Sequence, residues 1–534
     1  MNLKIQIAQL NFLVGDIEGN AQRIIEIADS GQKRVDAVVF PELAITGYPP
    51  EDLLLRSSFI QRVEAAVDLI RSSVGEVYLV VGYPRFRDGK LFNVAGVLYR
   101  GEVVAEYEKH KLPNYSVFDE KRYFTPGQGA VTFNLNGIQV GLTICEDIWE
   151  DEPVALSRAA GAQLIFNLNA SPFHIGKAPE REALVQHRAS GNSIPIVYAN
   201  LVGGQDELVF DGGSFVVDAE GDLIHRAGFF EESLPIVEIE CSPEPTPIPD
   251  GIEPLMGEEQ RVYGALVLGV RDYVQKNGFN GAIIGLSGGV DSALTLAIAA
   301  DALGPDQVEV VLMPSRYTAD MSNQDAVAEA EALGVHHRTI SIEPAFDAFL
   351  DMLSEEFAGK PVDVTEENIQ ARCRGIILMA ISNKKGRILL TTGNKSEMSV
   401  GYATLYGDMA GGFAPIKDVP KTLVYRLCRY RNSLSPVIPQ RVLDRPPSAE
   451  LAPDQKDSDS LPDYPVLDEI LERYVEQDQD LSEITSAGFD QAIVERVIRM
   501  VDRNEYKRRQ APPGVKITRR AYGRDRRYPL TWQK

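Results

Sequence analysis

The stretch IIGLSGGVDSALTLAIAA, residues 283–300, restricts the possible fold more than any other part of the sequence. A short apolar run passes through two adjacent glycines into a longer run of helical composition, which predicts a buried strand, a tight loop and a helix. Further apolar runs such as VEVVLMP and GRILLTTG alternate with helical patterns. The second half of the chain is therefore predicted to be an α/β unit built on a doubly wound, mostly parallel sheet.

The chain has 534 residues, which is too long for one ordinary core and predicts two to four domains. From residue 1 to 240, short β-branched runs such as KIQIAQL, VYLVVGY and VGLTIC alternate with helical patterns and predict a layered α/β domain. The stretch CSPEPTPIPDGIEP contains five prolines and predicts a linker over 241–257. A second domain is expected over 258–534.

Composition limits the classes of partner. A net charge of −23 argues against general binding to nucleic acid or an anionic membrane. The four cysteines are far apart and form no CxxC pair, so neither a disulfide framework nor a cysteine zinc site is predicted. The N-terminus has no signal-like apolar region, and no apolar run approaches bilayer length. We expect a cytoplasmic protein without membrane association.

The glycine loop suits an anion. Small residues let backbone N–H groups converge at the positive end of a helix, where a phosphate group can bind. The loop ends neither in GK[ST] nor in a GxGxxG pattern, so an ordinary P-loop and a dinucleotide fingerprint are both unsupported. The alternative is a tight turn without a ligand. The candidate nucleotide-binding residues are Ser287, Gly288, Gly289, Val290, Asp291 and Ser292.

This motif resembles the ATP pyrophosphatase family, and TTGNKSEMSVGYATLYGDMAGGFAPIKDVPK resembles the matching part of NAD synthetases. The resemblance implies that Thr392 and Lys421 contact ATP and that Asp291 and Glu397 bind Mg²⁺, an ion that prefers hard oxygen ligands. The segment RPPSAEL departs from the commoner RPPTAEL at Ser448, where the retained hydroxyl predicts a preserved ATP contact.

The same resemblance implies a site for deamido-NAD. Its expected residues are Asn368, Arg372 and Arg374, from ENIQARCRG, and Lys507. The alternative for the two arginines is a pair of solvated helix charges.

In the first domain, Cys145 is followed at once by Glu146 and Asp147 in GLTICEDIWE. Two carboxylates should raise the pKa of a neighbouring thiol, so Cys145 is either an inert core residue or is activated by another group. Glu42 follows the run AVVF, and Lys111 lies in KHKLPNY. Side chains at three strand ends can converge on one pocket.

The segments PELAITGYPPEDL, KLPNY and ICEDIW resemble those of the carbon-nitrogen hydrolase, or nitrilase-like, family, and the resemblance covers roughly residues 1–240. The resemblance implies a four-layer α-β-β-α sandwich in which Cys145 is the nucleophile, Glu42 the general base and acid, and Lys111 the oxyanion support. Likeness to the glutaminase domains of glutamine-dependent NAD synthetases implies a set of glutamine-binding positions, Tyr115, Ser171 and Lys177.

Together the halves resemble the glutamine-dependent NAD synthetases. The implied reaction releases ammonia from glutamine and uses it to amidate deamido-NAD that ATP has adenylated, through a water-poor passage. Mg²⁺ is expected with ATP, without a prosthetic group, in a homo-oligomer that is at least a dimer. One alternative is another glutamine-fed ATP pyrophosphatase such as a GMP synthetase, and a second is a non-catalytic nucleotide- or RNA-binding scaffold.

Two charged segments remain. Residues 444–480 contain 12 acidic and 3 basic residues, and we expect a flexible or lid-like segment. Residues 503–527 contain 10 basic and 2 acidic residues. This tail lacks a regular aromatic interleave, so no nucleic-acid partner is expected, and its arginines other than the predicted ligands are interpreted as surface charges.

Overall fold

The computed structural model describes residues 2–31, 34–242, 244–453 and 455–532. The chain divides into two compact units, Met1–Gln205 with Val209–Met256, and Asp206–Leu208 with Gly257–Lys534. Among the described residues, no helix is both long enough and apolar enough to cross a membrane.

The first unit contains two sheets. The strands in chain order are β1 (Asn2–Ile7), β2 (Ala37–Val39), β3 (Tyr78–Arg87), β4 (Lys90–Tyr99), β5 (Glu102–Glu108), β6 (Thr132–Leu135), β7 (Ile138–Ile144), β8 (Leu164–Asn169), β9 (Ile196–Asn200), β10 (Val202–Gln205), β11 (Leu208–Asp211), β12 (Phe215–Val217), β13 (Leu223–Arg226), β14 (Ile236–Glu240) and β15 (Thr246–Pro247). One sheet has the order β15-β14-β1-β2-β3-β4-β5, and the other has the order β13-β12-β9-β8-β7-β6. Strands β10 and β11 form a separate pair.

Helices cover the outer face of each sheet. They are α1 (Ile17–Gly31), α2 (Ser57–Ser73), α3 (Asp151–Ala159) and α4 (Lys177–Asn192). The inner faces share one apolar core, in which Ile5 and Val80 of one sheet pack with Leu142 and Phe166 of the other. A second core joins α3 and α4 to β8, β9 and β12. The predicted α-β-β-α sandwich is confirmed.

The proline-rich stretch is not wholly irregular. Strand β15 pairs antiparallel with β14, and Ile252 forms a bridge with Arg226. The part of the predicted linker up to Met256 therefore belongs to the first compact unit.

The second unit is built on a parallel sheet. Its strands are β16 (Ala282–Gly285), β17 (Val308–Leu312), β18 (His336–Thr339) and β19 (Ile388–Leu390), in the order β18-β17-β16-β19. All three pairings are parallel. Strands therefore extend to both sides of β16, which confirms the predicted doubly wound sheet.

Some helices of this unit pack on the sheet, and others pack mainly on neighbouring helices. They are α5 (Glu258–Lys276), α6 (Val290–Leu303), α7 (Asp320–Leu333), α8 (Glu343–Met352), α9 (Val364–Lys385), α10 (Lys395–Val400), α11 (Lys421–Leu434), α12 (Gln440–Asp444), α13 (Tyr464–Leu471), α14 (Leu481–Ser486), α15 (Gln491–Arg503) and α16 (Glu505–Arg508). One apolar core joins α8 and α9 to Ile283, Val311 and Leu389 of the sheet. Helix α6 contacts β16 and β17.

Both charged segments contain ordered structure. The acidic segment includes α13, a π-helical turn at Glu472–Glu476 and a 3₁₀ turn at Asp457–Asp459. In the basic tail, Arg508 and Arg526 are buried and both form ion pairs with Glu505. The interpretation of the remaining tail arginines as surface charges is therefore wrong for these two residues.

Candidate active sites

A buried ion-pair cluster lies at the strand ends of the first unit. Glu42 follows β2, and its Oε1 accepts hydrogen bonds from Lys109 Nζ and Asn93 Nδ2, both at 2.7 Å. Lys109 Nζ also lies 2.9 Å from Glu120 Oε1. The side chains of Glu42 and Lys109 are fully buried. A lysine enclosed in this way needs negative partners, and here it has two.

The structure contradicts the expectation that Lys111 joins Glu42. Its Nζ lies 2.7 Å from Glu152 Oε2, and its side chain is 32% exposed. The chain leaves β5 at Glu108, so strand alternation no longer puts the side chains of the two lysines on the same side. Lys109, two residues earlier in the sequence KHK, is the lysine at this site.

Cys145 lies beside this cluster. It follows β7, begins a 3₁₀ turn that ends at Trp149, and has φ of 44°. Burial and then the charge of Glu42 raise the pKa of the Cys145 thiol well above its ordinary value, and the charge of Lys109 opposes that effect. Cys145 therefore rests as a thiol, and a base must remove its proton before it can attack.

The two acids after Cys145 are engaged with other groups. Asp147 is fully buried, and its carboxylate accepts hydrogen bonds from the backbone N–H groups of Ile144 (2.9 Å), Lys111 (2.8 Å) and His110 (3.1 Å). Asp147 thus connects the turn at Cys145 to the backbone just after Lys109. The Asp147 carboxylate also accepts a bond from the hydroxyl of Tyr107 at 2.9 Å.

Two of the three predicted glutamine-binding residues, Tyr115 and Lys177, lie close to Cys145. The hydroxyl of Tyr115 donates to Glu146 at 2.9 Å. Burial raises the pKa of Tyr115, and the charge of Glu146 and then that of Cys145 add to this effect. Lys177 Nζ lies 3.4 Å from the centre of the Trp149 ring. Burial lowers the pKa of Lys177 to about 8, while nearby Glu180, Cys145 and Glu146 oppose that shift.

Ser171 is 3% exposed, and its backbone N–H donates to Asn200 Oδ1 at 3.0 Å. It follows β8 at the same sheet edge as Cys145, since β7 and β8 are parallel.

Glu120 is a further member of the site that the sequence did not reveal. Burial raises the pKa of Glu120 to about 7, with Lys109 opposing the shift, and the hydroxyl of Tyr48 donates to Glu120 Oε1 at 2.9 Å. No local sequence pattern marks Glu120, because it is brought to Glu42 by a loop between β5 and β6.

In the second unit, the glycine loop joins β16 to α6. Gly288 has φ of 77°, and a Cβ built there would lie 2.2 Å from the carbonyl oxygen of Ser322, so only glycine fits without a shift of the backbone. Gly289 is the N-cap of α6, and Val290 is its first residue. Ser292 Oγ lies 3.0 Å from Ser287 Oγ and donates to Gly289 O at 3.0 Å. The loop thus leads directly into a helix N-terminus.

Lys421 lies between two predicted metal ligands. Its Nζ contacts Asp291 Oδ2 and lies 3.1 Å from Glu397 Oε1. Asn394 caps α10 and also donates to Asp291 Oδ1 at 2.8 Å. Burial is the main cause that raises the pKa of Glu397 to about 8; Lys421 opposes it, and the charges of Asp291 and Asp457 add to it. The structure therefore brings Asp291, Glu397 and Lys421 together.

Three of the four predicted deamido-NAD residues reach one loop. Asn368 accepts a hydrogen bond from Thr404 Oγ1 at 2.8 Å, and Arg372 Nε donates to Leu405 O at 3.2 Å. Lys507 Nζ donates to the carbonyl oxygens of Gly401 and Ala403, each at 2.8 Å. These contacts define the 401–405 loop.

Arg374 is not brought to this loop, because its Nε donates to Met313 O at 3.1 Å. Thr392 is half-buried in the connection from β19 to α10. Ser448 Oγ donates to Gln455 O at 2.5 Å and accepts from the backbone N–H of Glu450 at 3.2 Å, which stabilises a turn.

A pocket with about 330 Å³ of empty space lies beside Glu397 and includes Asp408 and Lys417 in its lining. Burial raises the pKa of Asp408 to about 6 and lowers that of Lys417. Asp408 is a second candidate residue that the sequence analysis did not select. The signal was present, since Asp408 lies inside the quoted stretch TTGNKSEMSVGYATLYGDMAGG.

Two families match the two units. Residues 4–242 match the carbon-nitrogen hydrolase family, and residues 262–511 match the NAD synthase family. Fold and sites thus define an amide hydrolase of the nitrilase-like class joined to an NAD synthase.

Similarity over the full length is more specific. The chain is 47% identical to the glutamine-dependent NAD(+) synthetase of Acinetobacter baylyi, over 99% of this chain and 98% of that protein. It is 45% identical to the enzyme of the same name from Aquifex aeolicus, with 99% of each covered. A structure of the glutamine-dependent NAD+ synthetase of Acinetobacter baumannii in complex with adenosine diphosphate matches with a TM-score of 0.82 and 44% identity, over 99% of this chain and 98% of that one. The chain belongs to the glutamine-dependent NAD(+) synthetase family and is a ligase.

Proposed function

We propose that the first unit hydrolyses glutamine with Cys145, Glu42 and Lys109. Glu42 takes the proton of the Cys145 thiol as sulfur attacks the carboxamide carbon. When the C–N bond breaks, Glu42 returns a proton to the leaving nitrogen, which departs as ammonia and leaves a thioester on Cys145. Water then attacks the thioester and releases glutamate.

Lys109 replaces Lys111 in this assignment. Its ammonium group, fixed between Glu42 and Glu120, and the backbone N–H of Glu146 supply positive charge for the oxyanion that forms during attack. Glu120 is the second carboxylate that holds Lys109 in place. Its role is to position the lysine.

The glutamine side chain must be orientated toward Cys145. Lys177 is a cation close to Cys145 and suits the α-carboxylate of the substrate. Tyr115 and Ser171 contribute hydroxyl groups to the same pocket. We propose these three residues as the glutamine-binding set.

The second unit is proposed to activate a carboxylate with ATP. The segment from Ser287 to Ser292 presents backbone N–H groups at the N-terminus of α6, where the phosphates of ATP would bind. Thr392 is assigned to ATP contact, and so is Ser448, whose hydroxyl lies in the turn described above. The Acinetobacter baumannii relative is in complex with ADP, which supports an adenine nucleotide as a ligand of this chain.

Mg²⁺ fits the acidic residues of this unit. Asp291 and Glu397 offer hard oxygen ligands. Burial, and after it the charge of Asp291, raises the pKa of Glu397, so a cation bound there would stabilise the ionised carboxylate. Bound there, Mg²⁺ would neutralise charge on the ATP phosphates. Lys421 contacts both carboxylates, so a triphosphate whose Mg²⁺ is held there would lie near its ammonium group as well.

We propose deamido-NAD as the acceptor. Its carboxylate displaces pyrophosphate from ATP and becomes an acyl adenylate, because a free carboxylate has no adequate leaving group. Ammonia then attacks the carbonyl carbon and AMP departs, giving NAD. Asn368, Arg372 and Lys507 are assigned to deamido-NAD through the 401–405 loop, and Arg374 is retained as a more distant contact.

Three further proposals concern the whole protein. Ammonium is not a nucleophile, so ammonia is expected to travel from Cys145 to the adenylate through a water-poor passage. Exposed apolar side chains at Met352, Val364 and Ile376, on α8 and α9, suit a homo-oligomer formed through the synthetase unit. All four cysteines are free, which fits a reducing compartment such as the cytoplasm.

The buried Glu42–Lys109 pair beside a protonated Cys145 carries this proposal, and Cys145→Ala tests it. NAD formation from deamido-NAD and MgATP is measured with either glutamine or ammonium chloride. The variant should lose glutamine-driven synthesis and keep ammonium-driven synthesis, because only the first needs the thiol. Cys241→Ala, at a half-buried cysteine after β14, is the matched control and should resemble the parent. Absence of NAD from the parent with both donors would overturn the acceptor assignment.

A further inference from the structure

Asp457 is a buried acidic residue with an unsatisfied oxygen. It begins the 3₁₀ turn in the acidic segment and is 4% exposed. Its Oδ2 accepts a hydrogen bond from the hydroxyl of Tyr464 at 2.8 Å. Its Oδ1 is buried and makes no hydrogen bond of good geometry with the residues that the structure describes, although the hydroxyl of Tyr402 is close to the carboxylate. Such an atom calls for a partner that the protein chain does not provide, such as water or an ion.

The segment that carries Asp457 is fixed to the nucleotide loop on one side. Arg445 donates to Gly288 O at 3.1 Å and to Ser322 Oγ at 2.7 Å. Ser322 Oγ in turn donates to Glu450 Oε1 at 2.7 Å. Arg445 and Glu450, which precede Asp457 in the chain, are therefore held next to the glycine loop.

The other side of the segment is fixed to the start of α11. Asp468 of α13 accepts hydrogen bonds from Ser396 Oγ and, at 2.9 Å, from the backbone N–H of Thr422. Tyr464, the partner of Asp457, lies in the same helix, and its ring centre is 5.2 Å from Lys421 Nζ. Asp457 is thereby placed next to the cluster of Asp291, Glu397 and Lys421.

The charge of Asp457 acts on that cluster. Burial is the main cause of the raised pKa of Glu397, and the charge of Asp457 adds to it after that of Asp291. Burial lowers the pKa of Lys421, but the charges of Asp291 and Glu397, and to a smaller extent that of Asp457, raise it above its ordinary value. Asp457 is thus a third carboxylate near the ammonium group that Asp291 and Glu397 contact. The surplus of carboxylates favours the arrival of a cation with more than one charge.

The carboxylates are not arranged as a closed cage. In the described residues, no three His, Cys, Asp or Glu side chains are close enough to ligate one ion together. Mg²⁺ seldom uses such a cage, because it binds one or two carboxylates and keeps several of its waters. A third carboxylate nearby can accept hydrogen bonds from those waters.

We propose that Asp457 is a third acidic residue of the divalent-cation site, and that its Oδ1 accepts a hydrogen bond from a water of the hydrated cation held by Asp291 and Glu397. This inference rests on the metal site proposed above. It gives the acidic segment a function at the metal site, because Asp457 would hold a water of the hydrated ion.

The test is binding of Mn²⁺ alone to the full-length protein, with free Mn²⁺ counted by electron paramagnetic resonance. We expect Asp457→Asn to weaken binding about 10-fold to 100-fold, the range found when groups around a metal's ligands are removed. Asp459→Asn removes the same charge two residues away, at an exposed side chain, and should change the affinity less than twofold, that is, by less than about 0.4 kcal/mol.

Asp291→Asn separates the two hypotheses. If Asp291→Asn weakens Mn²⁺ binding and Asp457→Asn does not, the metal site stands and the role of Asp457 is wrong. If neither variant weakens binding, the metal site itself is misplaced and the inference fails with it.

A second measurement covers the case in which Asp457→Asn does not fold. Tb³⁺ bound to the parent protein should show luminescence excited through tyrosine, because Tyr464 and Tyr402 are both close to Asp457. Mg²⁺ should displace this signal. Tyrosine-excited emission that is absent, or that Mg²⁺ does not displace, would contradict a cation beside Asp457.

Discussion

The two units contain the same ionic arrangement with different neighbours. In the first, Lys109 lies between Glu42 and Glu120; in the second, Lys421 lies between Asp291 and Glu397. In each trio burial raises the pKa of one carboxyl group, to about 7 at Glu120 and about 8 at Glu397. A lysine shared by two acids is therefore not by itself a signature of one reaction.

The fourth group in each cluster makes the difference. Beside Lys109 it is the thiol of Cys145, which is neutral at rest and which we propose reacts with a neutral amide. Beside Lys421 it is the carboxylate of Asp457, which adds negative charge. The first cluster is suited to moving a proton and stabilising an oxyanion, whereas the second is suited to holding a cation and phosphates.

The strongest test of this comparison exchanges each lysine for methionine. Lys109→Met should lower glutamine-driven synthesis by at least about 10²–10³-fold, the cost of losing a preorganised charge at an oxyanion, and leave ammonium-driven synthesis intact. Lys421→Met should lower synthesis with both donors, because both need the adenylate. Initial rates of NAD formation with glutamine and with ammonium chloride give both results.

Lys111→Met is the control for the first variant. Its ion pair with Glu152 is partly exposed, so the rate should stay within about twofold of the parent. A large loss in Lys111→Met together with a small loss in Lys109→Met would restore the original assignment from sequence.

Asp147 tests whether the first cluster depends on the position of its turn. Asp147→Asn removes the charge that holds three backbone N–H groups, and we expect a fall of about 10–10²-fold in kcat for glutamine hydrolysis because Cys145 and Lys109 shift relative to each other. KM for glutamine and ammonium-driven synthesis should change little. Glu150→Gln, at an exposed acid in the same loop, should behave as the parent; equal losses in both variants would show a general effect of charge.

Much of this arrangement was predictable from sequence. Glu42 follows β2 and Cys145 follows β7, each an apolar strand with a parallel neighbour in its own sheet, so local patterns place both residues at strand ends. The glycine loop follows β16 of the second unit in the same way. The approach of Glu42 to Cys145 joins two different sheets and is a tertiary feature. Asp291, Glu397 and Lys421 were selected by family resemblance, and the structure brings them together. Sequence periodicity could not decide which lysine of KHK lies at the site. The strand ends at Glu108, and tertiary contacts set the direction of each side chain after it.

Charge composition was a poorer guide. The acidic segment has the composition of a flexible region, yet Asp457 and Asp468 are fixed by hydrogen bonds to Tyr464 and Thr422. Ion pairs between residues far apart in the chain cannot be read from local composition. Arg526, which pairs with Asp502 and Glu505, is an example.

Lys177 offers a smaller test, through pH. Burial lowers the pKa of Lys177 to about 8, so the ammonium form that we propose binds the α-carboxylate of glutamine is lost as pH rises through that value. We expect kcat/KM for glutamine to fall above about pH 8, since this parameter reports groups of the free enzyme. Lys177→Arg keeps its charge at these pH values.

At each pH, kcat/KM for the parent is divided by kcat/KM for Lys177→Arg. The ionisation of glutamine affects both enzymes equally, so it cancels in this ratio. This ratio should fall severalfold from pH 7 to pH 9. A ratio that stays constant would show that Lys177 does not titrate in the free enzyme.

Glu329 is a buried carboxyl group like Glu120 and Glu397, but the structure records no lysine bonded to it among the described residues. It is fully buried in α7, neither of its oxygens has a hydrogen-bond partner in the described part of the chain, and burial alone raises its pKa from 4.5 to about 8. Between these two values the folded protein keeps a proton that the unfolded chain releases, so stability decreases as pH rises. Glu329→Met removes this dependence, and its melting temperature should exceed that of the parent by several degrees more at pH 8 than at pH 5. Glu331→Met, at an exposed position of the same helix, should show no such growing difference, and a constant gap for Glu329→Met would mean that Glu329 finds a partner in solution.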